Sequence, residues 1–151
     1  MFGIILVTHG EMAAGIMDAA KMIYGLPEDP KKPAVEIVEL KEGESPETLI
    51  DKLEDRIEKM KDGGVKGVLI ISDLFGSSTT NAGTRLMLAN KNNKEVAHIA
   101  VVSGLNLPML LELLPALDKS NSIEELANLA VEVGRKGIIN IADEIAKRRK
   151  K

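Results

Sequence analysis

Short apolar runs alternate with amphipathic segments along most of this chain. The runs at 3–8 and 68–72 are apolar at almost every position, which is typical of strands buried on both faces. The run at 35–40 alternates with a period of two and indicates a strand nearer an edge, and 96–103 fits a further strand. Because strands that alternate with helices build parallel sheets, this pattern predicts an α/β fold.

Helix signals occupy the segments between these strands. Ser45 and Pro46 fit an N-cap followed by the first residue of a helix. Ser122 and Glu125 form the capping-box pattern that opens another helix. Residues 28–33 are polar and contain prolines, which indicates a loop. The predicted helices span 12–24, 46–62, 79–90, 108–117 and 123–136.

The expected architecture is a doubly wound, mostly parallel open sheet with helices on both faces and the strand order 2-1-3-4. Residues 138–142 fit either a short last strand, antiparallel at one edge of the sheet, or a continued helix. We expect one domain over 1–151, since a chain of this length suits a single domain. Residues 143–151 would form its basic, solvated C-terminal tail.

Composition excludes several classes of function. The chain has no cysteine, which removes disulfides, thiolate catalysis and zinc–thiolate sites. A net charge of −3 and 2% aromatic residues argue against a nucleic-acid partner. The apolar runs are too short to span a bilayer, and the N-terminus lacks the basic start and cleavage site of a signal peptide. We therefore expect a cytoplasmic protein.

A histidine and an aspartate end two of the predicted strands. His9 follows the first strand, between Thr8 and Gly10, and Asp73 follows the third. In the order 2-1-3-4 these strands are neighbours at the switch point, where open α/β sheets bind ligands. A carboxylate beside an imidazole accepts the N–H of one ring nitrogen and leaves the lone pair of the other free to attack. His9 and Asp73 are therefore the candidate catalytic pair, and Thr8 and Gly10 are candidates for binding a phosphoryl group.

A small, hydroxyl-rich turn follows the third predicted strand. Gly76, Ser77 and Ser78 lead into a helix, where backbone N–H groups and hydroxyls suit the oxygens of a phosphoryl group. No Walker motif or dinucleotide-binding glycine motif is present, and one histidine with nearby carboxylates matches no known chelate. Neither a metal nor a cofactor is therefore expected. The second histidine, His98, lies within the fourth predicted strand, where we expect a packed core or edge residue.

Specific motifs stand in the segments 7–10, 73–82 and 104–109, with Thr-His-Gly in the first and Asn-Leu-Pro-Met in the last. Further similarity runs from 125 to 135. In this order and at this spacing, they resemble the IIA component of the mannose-type (mannose, fructose, sorbose) sugar phosphotransferase system over nearly the whole chain.

This resemblance implies that His9 accepts phosphate from the histidine phosphocarrier HPr and passes it to a histidine of a separate IIB component. IIB would then phosphorylate a sugar during transport through the membrane components IIC and IID. The resemblance also implies that Asp73 is the carboxylate partner of His9. It implies a homodimer as well, in which the last strand can be exchanged between subunits.

The chain departs from the family pattern in one loop. The family commonly has Gly-Gly-Ser-Pro where this chain has Gly76-Ser77-Ser78-Thr79. The second glycine and the proline are replaced, while Ser78 is retained and can still donate a hydrogen bond. The difference leaves the geometry of this loop and the preference for partners open.

Apolar residues around the predicted site are candidates for docking two successive partner proteins. We expect Met12, Phe75, Asn106 and Met109 on this surface, together with Leu74. For Met109 and Leu74, a place in the core is the open alternative.

Two other functions stay open at this point. The nearer one is the phosphotransfer subunit of a dihydroxyacetone kinase, which shares the fold and the phosphohistidine, although the segment 106–109 favours the sugar system. The other is a non-enzymatic regulator whose phosphorylation state governs its binding to another protein. The transported sugar is not encoded in this chain, because a IIA component does not contact the sugar.

Overall fold

Four parallel strands form one sheet in the computed structural model, which describes residues 1–25 and 34–150. The strands lie in the order β2-β1-β3-β4, and each neighbouring pair is parallel. The predicted fold class and strand order are therefore confirmed. The predicted loop at 28–33 and Lys151 of the basic tail lie outside the described residues. The strands are β1 Phe2–His9, β2 Val35–Leu40, β3 Gly67–Ser72 and β4 His98–Ser103.

Six α-helices connect and follow these strands in the described part of the chain. Two of the predicted helix starts are capped as expected. Ser45 accepts the N–H of Thr48, and Ser122 accepts the N–H of Glu125. The carboxylate of Glu125 in turn accepts the N–H of Asn121. The helices are α1 Met12–Tyr24, α2 Pro46–Asp62, α3 Ser78–Ala89, α4 Leu107–Leu113, α5 Ile123–Lys136 and α6 Ile141–Arg149, and a 3₁₀ turn at Leu114–Ala116 follows α4.

Both faces of the two central strands are covered. Helices α1, α4 and α5 pack on one face of the sheet, and α2 and α3 pack on the other. Because successive side chains of a strand point to opposite faces, β1 and β3 need apolar residues at nearly every position. The fully buried apolar residues of these strands are Ile4, Leu6, Leu69 and Ile71 on the first face, and Ile5, Val7, Val68 and Ile70 on the second.

Residues 138–142 form neither the short last strand nor an unbroken continuation of α5, the two alternatives that the sequence left open. The described residues of the sheet form four parallel strands, and α6 begins at Ile141 instead. The side chain of Asn140 caps this helix by accepting the N–H of Ala142. Acidic residues in the first turn of α6 and basic residues in its last turn favour the helix dipole, so most of the predicted basic tail is helical.

Two boundaries differ from the sequence prediction for local reasons. The predicted helix at 108–117 ends as an α-helix at Leu113, and Pro115 lies in the 3₁₀ turn that follows. The fourth strand begins at His98, because the N–H of Val96 bonds the carbonyl of Asn93 in the preceding turn. His98 thus stands on an edge strand as one expectation had it, but its side chain is exposed and not packed.

Candidate functional site

The carboxyl ends of β1 and β3 bring His9 and Asp73 into direct contact. These strands are paired in parallel with Val7 opposite Ser72, so the residues that follow lie side by side. Nδ1 of His9 lies 2.8 Å from Oδ2 of Asp73. The backbone N–H of His9 donates to the same oxygen at 2.9 Å. The imidazole is therefore held through both its ring and its own backbone.

The contact with Asp73 determines which ring nitrogen of His9 can react. An ionised carboxylate only accepts hydrogen bonds, so Nδ1 must carry the hydrogen. In a neutral imidazole, the lone pair then lies on Nε2. The His9 side chain is 48% exposed, whereas the Asp73 side chain is only 9% exposed. The reactive nitrogen thus belongs to a ring accessible to another molecule, while its partner is shielded from water.

A tight turn carries the chain from Asp73 into α3. The N–H of Ser77 bonds the carbonyl of Leu74, and Gly76 between them has a φ of +79°, which favours glycine. The turn delivers Thr79 to the carboxylate, where its hydroxyl donates to Oδ1 of Asp73 at 2.8 Å. Both oxygens of Asp73 therefore have donors.

The hydrogen bonds to Asp73 determine its charge state. Burial raises the pKa of the Asp73 carboxyl, but three donors outweigh burial and lower the pKa below its usual value. These donors are the backbone N–H of His9, the imidazole of His9 and the hydroxyl of Thr79. Asp73 is therefore a carboxylate at neutral pH, which is the form that can hold the imidazole and stabilise positive charge on it.

The N-terminus of α3 adds a second feature to the site. The N–H groups of Ser78 and Thr79 open this helix and, as at any helix start, have no partner within it. Ser78 is exposed, and its hydroxyl is accessible to an incoming group. Free N–H groups and the positive end of the helix dipole attract anions, so this edge suits phosphoryl oxygens.

Two of the residues predicted to bind a phosphoryl group have other roles. Thr8 is fully buried, and its hydroxyl accepts the N–H of Ala13 at the start of α1. Gly10 adopts a φ of +54°, and its N–H donates to the carbonyl of Leu40 at the end of β2. Both residues flank His9 and hold the end of β1 in place, but the side chain of Thr8 and the N–H of Gly10 already have hydrogen-bond partners.

Two of the residues predicted to dock a partner have other roles in the fold. Met109 is 3% exposed and belongs to the core, which is the alternative that the sequence left open for it. Asn106 caps α4 by accepting the N–H of Met109, and its amide nitrogen donates to the carbonyl of Gly134 in α5. A methyl group on Gly134 would lie 2.7 Å from Met109, which shows how closely these helices pack. The motif at 106–109 therefore joins α4 to α5.

The other predicted docking residues lie at the surface beside the site. Met12 is 43% exposed at the start of α1, which follows the loop of His9. Leu74 and Phe75 are 61% and 84% exposed in the turn after Asp73. Large apolar side chains this exposed next to a polar site are typical of a surface that binds another protein. We call Met12, Leu74 and Phe75 the apolar rim.

Sequence reasoning missed Thr79 as a partner of Asp73. The hydroxyl-rich turn was recognised, but nothing in a one-dimensional pattern says which hydroxyl reaches the carboxylate six residues earlier. The turn at Gly76 decides this, because it reverses the chain and lets the first turn of α3 face Asp73. In residues 1–25 and 34–150, no three His, Asp or Glu side chains are grouped closely enough to hold a metal ion.

Comparison with known proteins assigns this chain to a family. The family model EIIA-man, described as the PTS system fructose IIA component, matches residues 3–131. The chain belongs to this family. The predicted resemblance to this family is therefore confirmed.

Individual relatives agree with this assignment. The chain is 38% identical over 135 residues to the mannose-specific EIIAB component of Escherichia coli (strain K12), which covers 89% of this chain and 38% of that protein. It is 33% identical over 131 residues to the sorbose-specific EIIA component of Lacticaseibacillus casei, covering 86% of this chain and 83% of that protein. The crystal structure of the phosphotransferase system component EIIA from Streptococcus agalactiae superposes with a TM-score of 0.79 at 25% identity, over 95% of this chain and 99% of that one.

These relatives bear on the alternatives that the sequence left open. The description of the family model and the names of both curated relatives refer to components of phosphotransferase systems. This favours a sugar phosphotransferase system over a dihydroxyacetone kinase subunit or a separate regulator. The chain spans less than two fifths of the length of the Escherichia coli protein. In the described part of this EIIA-man chain, no helix has the length and apolar character needed to cross a bilayer.

The charge state of Asp73 gives a first test. In His9→Phe an aromatic ring still shields the carboxylate, but the imidazole N–H is lost, so we expect the pKa of Asp73 to rise. The stability that the lowered pKa confers is fully present above the unfolded-state pKa of about 3.9 and is lost as pH falls through the lower folded value. Carboxyl ¹³C shifts of Asp73, followed against pH, measure the pKa of Asp73 in the folded native protein and in folded His9→Phe.

The other histidine supplies the control for this titration. His98→Ala removes an imidazole that lies on the far edge strand, so the titration of Asp73 should be unchanged. An Asp73 carboxyl that titrates identically in the native protein and in His9→Phe would contradict the assigned contact.

Proposed function

We propose that this chain is a phosphoryl carrier of a sugar phosphotransferase system and that Nε2 of His9 receives the phosphoryl group. The observation that carries this proposal is the 2.8 Å contact between Nδ1 of His9 and a shielded carboxylate. It leaves one nucleophilic nitrogen on a half-exposed ring. Membership of the EIIA-man family supports the same role.

The proposed reaction is a transfer between two imidazoles. The lone pair of His9 Nε2 attacks the phosphorus of phosphohistidine on HPr, and a new N–P bond forms. The N–P bond of the donor breaks, and its electron pair stays on the donor nitrogen. His9 then carries a phosphoryl group on Nε2 and a hydrogen on Nδ1, so its ring is positively charged. The carboxylate of Asp73 stabilises that charge.

The negative charge on the phosphoryl oxygens requires hydrogen-bond donors, just as the positive charge on the ring requires the carboxylate. The N–H groups at the start of α3 and the hydroxyl of Ser78 are suited to this task. Catalysis would then consist mainly of positioning and of electrostatic stabilisation in a prearranged site. As proposed, the transfer uses neither a metal ion nor a cofactor.

The apolar rim is the proposed docking surface for two successive partners, HPr as the donor and a IIB component as the acceptor. The rim lies directly beside His9 and Asp73 in the chain, so a protein bound there can present its own histidine to Nε2. IIB would phosphorylate the sugar during its passage through the membrane components IIC and IID. These partners act inside the cell, so the proposal places the chain in the cytoplasm. It includes no nucleic-acid partner.

Phosphoryl transfer itself tests the proposed function. With HPr, enzyme I and phosphoenolpyruvate, the intact mass of the chain should rise by one phosphoryl group, and acid should remove it. His9→Ala should abolish this gain, because the accepting nitrogen is lost. His98→Ala should gain phosphate at the native rate. Phosphate found on a serine, or retained in His9→Ala, would overturn the proposal.

The docking role of the rim has a separate kinetic test. Phe75→Ala should raise KM for phospho-HPr about tenfold, a loss of about 1.4 kcal/mol in binding, because exposed aromatic anchors contribute strongly to interfaces. Its kcat should be nearly unchanged, since Phe75 takes no part in the transfer. Leu88→Ala is the matched control, since Leu88 is 63% exposed near the other end of α3. Equal KM values for the two variants would exclude Phe75 from docking.

A homodimer is the remaining part of the proposal. Isoleucines cluster at the surface around the start of α6. Ile138 is 80% exposed, Ile141 is 67% exposed, and Ile139 and Ile145 are 53% and 47% exposed. An apolar group of this kind is rarely left in water, and a second copy of this chain would cover it.

The oligomeric state can be read by sedimentation velocity. The native chain should sediment with twice the mass of a single chain, and Ile138→Asp with Ile141→Asp should shift it to a single chain, because charges at a buried interface oppose association. Leu88→Asp adds a charge at an exposed site elsewhere and should leave the dimer intact. A native chain that sediments as a single copy at high concentration would refute the dimer.

A further inference from the structure

We propose that Thr79 is a positioning residue for phosphoryl transfer, because its hydroxyl holds one oxygen of Asp73 so that the other faces His9. This inference rests on the proposed function of His9 and adds a residue to it that the family resemblance does not supply. Thr79 does not touch the reacting atoms, and it acts through Asp73.

The division of the Asp73 carboxylate between two partners is the geometric basis. Oδ1 accepts the hydroxyl of Thr79 at 2.8 Å, and Oδ2 accepts both N–H groups of His9. A carboxylate rotates easily about its last torsion, since that torsion is broad and roughly two-fold. Because Thr79 donates to one oxygen and His9 to the other, this rotation is restricted. Thr79 is itself fully buried, so water does not compete for its hydroxyl.

Ser77 supports the hydroxyl of Thr79. Oγ of Ser77 lies 2.8 Å from Oγ1 of Thr79 and 2.6 Å from the carbonyl of Leu74. Because Asp73 can only accept, the single hydrogen of Thr79 points at the carboxylate, and Thr79 is left as the acceptor for Ser77. The single hydroxyl hydrogen of Ser77 can bond either Oγ1 of Thr79 or the carbonyl of Leu74, but not both at once. When it serves Thr79, the chain of hydroxyls polarises the bond to Asp73. Ser77 and Thr79 therefore form one device, in which two neighbouring hydroxyls lie against each other and the hydroxyl of Thr79 holds Asp73.

Thr79→Val tests the device with little change of shape. Without the hydroxyl, Oδ1 of Asp73 loses its protein donor and the carboxylate rotates more freely. The rate of transfer from phospho-HPr to His9 should fall by about 10- to 100-fold, as is common when a group that orients a reactive histidine is removed. Thr79→Ser restores the hydroxyl and should recover most of the native rate. Thr84→Val is the matched control, because Thr84 lies one turn further along α3 and bonds only the carbonyl of Thr80.

A spectroscopic readout tests positioning without any reaction. The ¹⁵N shifts of the neutral His9 ring report the proportion of molecules with hydrogen on Nδ1. This proportion should fall in Thr79→Val and should be native in Thr79→Ser and Thr84→Val. A loss of packing alone would slow transfer without this change, and it would affect Thr79→Ser as well.

The outcomes separate this inference from the proposed function. A native protein that gains no phosphate on His9 refutes the function. A native protein that is phosphorylated normally, with an unchanged rate or an unchanged ring tautomer in Thr79→Val, refutes the role of Thr79 alone. Equal slowing in Thr84→Val refutes it too. If Thr79→Val does not fold, as judged by circular dichroism, Thr79→Ala is measured by the same two criteria.

Discussion

The hydrogen bond from Nδ1 of His9 to Asp73 depends on the parallel pairing of β1 with β3. That pairing sets Val7 opposite Ser72, so that His9, the last residue of β1, comes to lie beside Asp73, the first residue after β3. A shift of register by one residue would carry the carboxylate away from the ring and would also turn every side chain of the shifted strand to the opposite face. Because both faces of these strands are packed against helices, the register is fixed by the whole core. The chemistry of the site is thus supported by the packing of the sheet.

The loop after β3 completes the electrostatics of the site in a small space. Burial of Asp73 alone would favour its neutral form, and that form could not accept the N–H of the imidazole as effectively. Two donors from His9 and one from Thr79 reverse this tendency. The start of α3 meanwhile presents free N–H groups to an anion. A negative group that holds the ring and a positive helix end therefore lie within one short segment of chain.

The sequence predicted the sheet because strands buried on both faces are apolar at almost every position. It predicted parallel strands because they alternate with helices along the chain. It also predicted the meeting of His9 and Asp73, since both follow neighbouring strands at the switch point. It was less informative where one pattern fits two structures. Residues 138–142 are mostly apolar, as a short strand would be, but Asn140 caps a helix instead. Asn106 and Met109 stand in the Asn-Leu-Pro-Met motif after β4, but they join α4 to α5.

What the sequence determined by itself is the α/β sheet, its parallel order, the pairing of a histidine with an aspartate and the family to which they belong. Apolar periodicity can be read along the chain, and the rules for connecting parallel strands then predict which strand ends are neighbours. The family is indicated by motifs in the sequence. Only the tertiary structure decided that Thr8 is a buried cap, that Met109 is core and that Thr79 reaches Asp73. Each of these depends on where a side chain points after the loop has turned and the helices have packed, and that direction is set by residues far away in the sequence.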